Sequence, residues 1–145
     1  MEQKKKRNVI VGQSGGPTAA INSSLAGVYR TAKDRGYNKV YGMLHGIQGF
    51  MEGRYIDLSE HIKTGLDEEL LKRTPSAYLG TCRYKLPDIY EDKPLYEELF
   101  KTLDELEIDC FIYIGGNDSM DTIKKLSDYA IVTGSDIRFV GCPKT

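Results

Sequence analysis

Five apolar residues in a row, Cys110-Phe111-Ile112-Tyr113-Ile114, stop at the glycine pair Gly115-Gly116. A run without polar alternation marks a strand covered on both faces, as in a parallel sheet. Asn8-Val9-Ile10-Val11 repeats the pattern and breaks at Gly12. Lys39-Val40-Tyr41-Gly42-Met43-Leu44 and Ile137-Arg138-Phe139-Val140-Gly141-Cys142 read as two more strands. Helical spacing fills the intervals. A helix is expected over 18–35, ending at Gly36 as a C-cap. Leu95, Leu99, Leu103 and Leu106 make the core stripe of a helix opening near Pro94, a residue favoured in a first turn. Ile123, Leu126 and Ala130 line one face of a helix over 119–130. A short charged helix over 66–73 stops before Pro75, and 46–65 reads as loop and short turns. Strands alternating with helices predict an α/β chain with right-handed crossovers.

The expected architecture is a Rossmann-like three-layer domain, a mostly parallel sheet with helices on both faces. At 145 residues the chain has enough length for one core without staples. With 40% hydrophobic and 28% charged residues it is neither disordered nor membranous. Twenty Lys+Arg against 21 Asp+Glu leave a net charge of -1, which argues against a nucleic-acid footprint. The Lys4-Lys5-Lys6-Arg7 run reads as a solvated amino terminus. No apolar stretch approaches the ~20 residues that span a bilayer, and no signal-peptide core follows the basic start. Three cysteines without a C-x-x-C pair exclude a disulfide framework and a zinc finger, and fit a reducing cytoplasm. Cys110 and Cys142 read as small buried hydrophobes; Cys82 has Arg83 beside it.

The segments with chemical character follow strands, where ligands bind in open α/β sheets. Gly12-Gln13-Ser14-Gly15-Gly16-Pro17 leads into a helix, so its glycines can bring N–H groups close to an anion. It has neither the Walker A lysine nor the G-x-G-x-x-G spacing. Gly115-Gly116-Asn117-Asp118-Ser119 combines backbone donors with oxygen ligands. Two readings stand there: an ordinary N-cap at Asp118 or Ser119, or a magnesium–phosphate site, since Mg²⁺ takes hard oxygen ligands. Pro143-Lys144-Thr145 offers a lysine to a phosphoryl group or merely an exposed terminal charge. Gly80-Thr81-Cys82-Arg83-Tyr84 presents a planar guanidinium suited to phosphate, or a surface ion pair. His45 and His61 lack metal-ligand spacing, and Glu91-Asp92 and Asp67-Glu68-Glu69 read as solvated faces.

Taken in order, these segments resemble the amino-terminal domain of the 6-phosphofructokinase family. The correspondence is carried by Ser14-Gly15-Gly16 with Ile21-Asn22, the loop over 46–53, Leu79-Gly80-Thr81-Cys82-Arg83, Ile114-Gly115-Gly116-Asn117-Asp118-Ser119 and Gly141-Cys142-Pro143-Lys144-Thr145. ATP-using relatives usually have glycine where Asp118 and Lys144 stand, so the pair is similar to the pyrophosphate-dependent branch. Asn117 departs from the more frequent aspartate of the family.

The resemblance implies a transferase of glycolysis that moves a phosphoryl group from pyrophosphate to the 1-hydroxyl of fructose 6-phosphate, with Mg²⁺ as cofactor. It implies donor-phosphate contacts from Gly15, Gly16, Arg83, Gly116 and Ser119. Catalytic roles fall to Asp118 and Lys144, metal binding to Asn117 or Asp118, and the first sugar-phosphate contact to Thr145. Residues 1–145 would then be the donor-binding first domain of a two-domain fold, inactive alone, with the catalytic aspartate and second domain beyond Thr145. The implied partners are these two small molecules, with no nucleic acid or membrane, and a homo-oligomeric full-length protein in the cytoplasm. Two alternatives stay open: an ATP-dependent 6-phosphofructokinase, and a non-catalytic phosphate-binding or regulatory module.

Overall fold

The computed structural model describes residues 8–13, 19–61 and 86–143. The expected helix over 66–73 lies outside the described residues. Among the described residues ten elements follow in chain order: β1 (Asn8–Gln13), α1 (Ala19–Asp34), β2 (Lys39–Met43), α2 (Gly46–Met51) and β3 (Tyr55–Asp57), then α3 (Leu58–His61), α4 (Lys93–Glu105), β4 (Ile108–Gly115), α5 (Asn117–Thr133) and β5 (Arg138–Pro143). The sheet order is β3-β2-β1-β4-β5. All neighbours are parallel except β2 and β3, which are antiparallel.

The unbroken apolar runs explain the layering. In a strand successive side chains point to opposite faces. Ile10, Phe111, Tyr113 and Phe139 accordingly join the core beneath α2, α4 and α5. Val9, Val11 and Ile114 join a second core with Leu25, Ala26 and Tyr29 of α1 and Leu58 of α3. Rings knit the first core across elements: Phe100 of α4 meets Tyr129 of α5 at 4.7 Å, and Phe111 of β4 meets Phe139 of β5 at 5.3 Å.

Caps set the helix ends. Asp92, expected on a solvated face, is instead the N-cap of α4, its side chain accepting from the Leu95 N–H at 3.2 Å. Gly36 has φ 85 just past α1, and the Tyr37 N–H donates back to Ala32, the left-handed stop expected of glycine. Gly134, with φ 74, stops α5 in the same way.

The stretch expected as loop over 46–65 is more ordered than its composition suggests. Up to His61 it forms α2, the antiparallel strand β3 and α3. Gly49 makes the sharp return possible, because a Cβ there would sit 1.6 Å from the Leu44 carbonyl oxygen. Helix α2 also borrows support from the sheet: the Ile47 N–H donates to the phenolic oxygen of Tyr113 at 2.9 Å.

Candidate functional site

Three parallel strands finish level. Gln13 of β1 pairs with Ile114 of β4, and Gly115 of β4 pairs with Pro143 of β5. Each strand runs into one of the segments singled out for chemistry: residues 14–18, Gly116-Asn117-Asp118-Ser119, and residues 144–145. Gly15, Gly16, Arg83, Lys144 and Thr145 lie outside the described residues, so the geometry of the site is that of the Gly116–Ser119 turn and its supports.

At this turn the N-cap is Gly116, without a side-chain hydrogen bond, and Asn117 is already helical. Neither Asp118 nor Ser119 is the cap, which corrects that reading. The Ser119 and Met120 N–H groups both donate to the Gly116 carbonyl, at 3.1 Å each. A helix start leaves its leading N–H groups without internal partners, so those of Asn117 and Asp118 face outward with the positive end of the helix dipole. Asn117 and Asp118 are exposed, and Asp118 is the acidic residue of the first turn. Ser119 is the opposite case. It is 2% exposed, and its hydroxyl has no hydrogen-bond partner among the described residues. A Cβ built on Gly116 would meet no described residue within 4 Å. Among the described residues, packing therefore does not require glycine at 116, and none of them fills the room beside the outward N–H donors.

The supports of the turn were less visible in the sequence. Gly141 of β5 lies so close to α5 that a Cβ there would approach the Met120 sulfur to 2.6 Å. Lys125, two turns along α5, reaches across to the chain after Arg83. Its Nζ donates to the Leu86 carbonyl at 2.7 Å and lies 3.1 Å from an Asp121 carboxylate oxygen. The one sequence signal for this was the i,i+4 spacing of Asp121 and Lys125. Tyr96 holds the next carbonyl, donating to Pro87 at 2.6 Å.

A cleft of about 910 Å³ opens at the opposite edge, near the start of β4, and its lining includes Glu97, Asp104, Glu107 and Asp109. That lining is acidic, which disfavours a phosphate ligand. Among the described residues no group of three or more His, Cys, Asp or Glu side chains is placed to hold a metal. Cys110 and Cys142 are half-buried and free, and burial pushes the Cys110 thiol up from its ordinary value, with Arg138 opposing. No described helix is long and apolar enough to cross a membrane.

The phosphofructokinase family model matches residues 8–145. The chain belongs to the phosphofructokinase family. A relative named pyrophosphate–fructose 6-phosphate 1-phosphotransferase, from Rhodospirillum rubrum, is 40% identical over 141 residues, covering 97% of this chain and 33% of the relative. A relative of the same name from Xanthomonas campestris pv. campestris is 38% identical over 138 residues, covering 95% of this chain and 32% of the relative. The crystal structure of a pyrophosphate-dependent phosphofructokinase from Nitrosospira multiformis superposes with a TM-score of 0.85 at 34% identity, covering 95% of this chain and 33% of that one. The chain thus spans about a third of the length of the relatives it matches.

Proposed function

We propose that the chain is the phosphoryl-donor-binding part of a pyrophosphate-dependent phosphofructokinase, and that the full-length protein phosphorylates the 1-hydroxyl of fructose 6-phosphate. The observation that carries this reading is the Gly116–Ser119 turn. Outward N–H groups, open room at Gly116 and a buried, unpartnered Ser119 hydroxyl stand together at the level ends of β1, β4 and β5. Phosphate oxygens are the acceptors such donors suit.

In the reaction, the sugar hydroxyl oxygen bonds to one phosphorus of pyrophosphate as the bridging P–O bond breaks. The bridging electron pair leaves with inorganic phosphate, and the hydroxyl proton passes to a base that the resemblance puts beyond Thr145. Such transfers depend on positioning and charge stabilisation. Gly15 and Gly16 give backbone N–H to the donor, and Arg83 holds phosphate oxygens. Lys144 stabilises the charge of the transferring and leaving phosphates, and Thr145 contacts the sugar phosphate.

Donor choice follows from charge. The exposed Asp118 carboxylate repels the further phosphate that a nucleotide would bring, and so favours pyrophosphate over ATP. The donor set also suits magnesium. Mg²⁺ is usually bound through one or two carboxylates, substrate phosphates and water, and Asp118 with the amide oxygen of Asn117 would hold it on the protein side. When bound, the ion neutralises phosphate charge. Full-length Lys144→Gly should lose most pyrophosphate-dependent turnover while Tm holds; unchanged turnover would overturn the reading. A donor competition between pyrophosphate and ATP tests the role of Asp118.

A further inference from the structure

The acidic cleft at the start of β4 runs against the ordinary electrostatics of helix ends. Helices α4 and α5 both finish on it, through Asp104 and Glu105 of α4 and Thr133 and Gly134 at the end of α5. The carboxyl end of a helix carries partial negative charge, which lysine or arginine normally offsets. Neither helix has a basic residue in its last turn, and α4 places two carboxylates there. Glu97, Asp104 and Glu105 are exposed and form no ion pair with a described residue. Lys101 is the one basic side chain in the described lining. The fold thus tolerates repulsion at two helix ends that neutral side chains would avoid.

A second feature of the cleft points to a ligand. Tyr129 is 8% exposed, its ring packed against Phe100 at 4.7 Å and Tyr96 at 5.2 Å. Its hydroxyl has no hydrogen-bond partner among the described residues, is not sealed from solvent, and belongs to a side chain that lines the cleft. A buried tyrosine usually finds a partner for its hydroxyl; here the oxygen is left open to the cleft. Phe100, Ile108 and Tyr129 supply an apolar floor, and about 910 Å³ is a volume typical of small-molecule sites.

The spacing of the charges selects among cations. No three of the described carboxylates converge to hold a metal ion. Glu97 and Asp104 instead stand seven residues apart on α4, about 10 Å along its axis, with Phe100 between them in sequence. We propose that the cleft binds a linear polyamine. One ammonium pairs with Glu97 and another with Asp104 and Glu105, while the methylene stem covers Phe100 and Tyr129. The Tyr129 hydroxyl oxygen accepts from an ammonium between the two ends. The site lies at the far end of α5 from the Gly116 turn, about 24 Å along the helix axis, so the proposal does not depend on the donor-site reading.

The test is calorimetric titration of the full-length protein with spermine. The double variant Glu97→Gln, Asp104→Asn should weaken binding about ten-fold or more, and Tyr129→Phe about three-fold or more. Glu98→Gln removes a neighbouring charge that faces the groove between α2 and α4 instead, and should stay within about two-fold of the parent. Relieving repulsion at a helix end should leave the double variant melting no lower than the parent, so its lost affinity is not lost folding. A parent that does not bind spermine overturns the proposal. So does a Glu98→Gln variant as impaired as the double variant, or a Tyr129→Phe variant that binds as the parent does. Displacement of spermine by an equimolar amount of Mg²⁺ overturns it as well, since that outcome needs charge alone.

Discussion

The phenolic oxygen of Tyr113 accepts a buried hydrogen bond from the Ile47 N–H at 2.9 Å, joining β4 to the first turn of α2. Helix α2 begins after His45, which adopts φ 60 and gives no side-chain cap. The tyrosine therefore does for this helix what a capping residue ordinarily does. Tyr113→Phe keeps the ring in the core and leaves a buried N–H without its partner. It should cost about 1–3 kcal/mol in chemical denaturation, and a loss below a few tenths would show that the bond contributes nothing.

Two glycines should respond oppositely to alanine. At Gly49 the added methyl would collide with the Leu44 carbonyl oxygen at 1.6 Å, so the backbone itself must move. Gly49→Ala should destabilise by at least about 3 kcal/mol. Gly27, exposed in α1, has no described neighbour within 4 Å of such a methyl. Gly27→Ala should stabilise by about 0.5–1 kcal/mol through helix propensity. Thermal melts of the pair check both signs.

Gly116→Ala separates folding from function. The methyl meets no atom of the described residues, and the backbone, with φ -89, lies in a region open to any residue. The melting temperature should stay within about 2 °C of the parent. In the full-length protein the methyl should occupy room meant for the donor and raise KM for pyrophosphate. An unchanged KM would remove Gly116 from the proposed site.

Asp118→Gly should shift donor preference. Removing the exposed carboxylate takes away the charge that opposes a longer polyphosphate, so the ratio of ATP to pyrophosphate kcat/KM should rise about ten-fold or more, a change of about 1.4 kcal/mol. The measurement is that ratio in the full-length protein. A ratio that stays constant would mean that other residues set donor choice.

Stability should fall on the alkaline side. Burial raises Cys110 above its ordinary 9.0, and it raises Tyr37 and Tyr129 above 10.0; Asp109 adds to the rise at Tyr37 and Glu97 at Tyr129. A raised value means that the folded chain keeps its protons longer than the unfolded chain. The contribution is complete below the unfolded values and is lost as pH climbs through the folded ones. Denaturation midpoints should therefore decline from about pH 9 upward. Cys110→Ala should soften the first part of that decline, seen in urea melts at stepped pH.

The order of strands and helices was legible because buried parallel strands write themselves as unbroken apolar runs. The stretch from Cys110 to Ile114 is such a run, and the stripe of Leu99 and Leu103 is its helical counterpart. The ordered stretch after Gly46 was hidden because β3 is only three residues long and α2 takes its support from Tyr113, far away in sequence. In the candidate site, the Gly-Gly-Asn-Asp-Ser text pointed to the turn at the head of α5. It did not show that Gly116 would be the cap, since that depends on where the helix dihedrals begin. That Ser119 is buried with no described partner for its hydroxyl, and that Lys125 has one on Leu86, come from packing between elements that no local pattern encodes.

At the other end of the sheet, the Asn8 side chain accepts from the Lys39 N–H and donates to the Leu106 carbonyl, contacts between residues 31 and 98 positions apart. Closing such loops costs chain entropy before any contact repays it. This fastening is therefore expected late, after the folding barrier is crossed. Asn8→Ala should leave the refolding rate nearly unchanged and speed unfolding, and stopped-flow chevrons that show slowed refolding instead would put Asn8 in the nucleus. One amide would thus act as a latch on the lifetime of the native state, with little say in how quickly that state is reached.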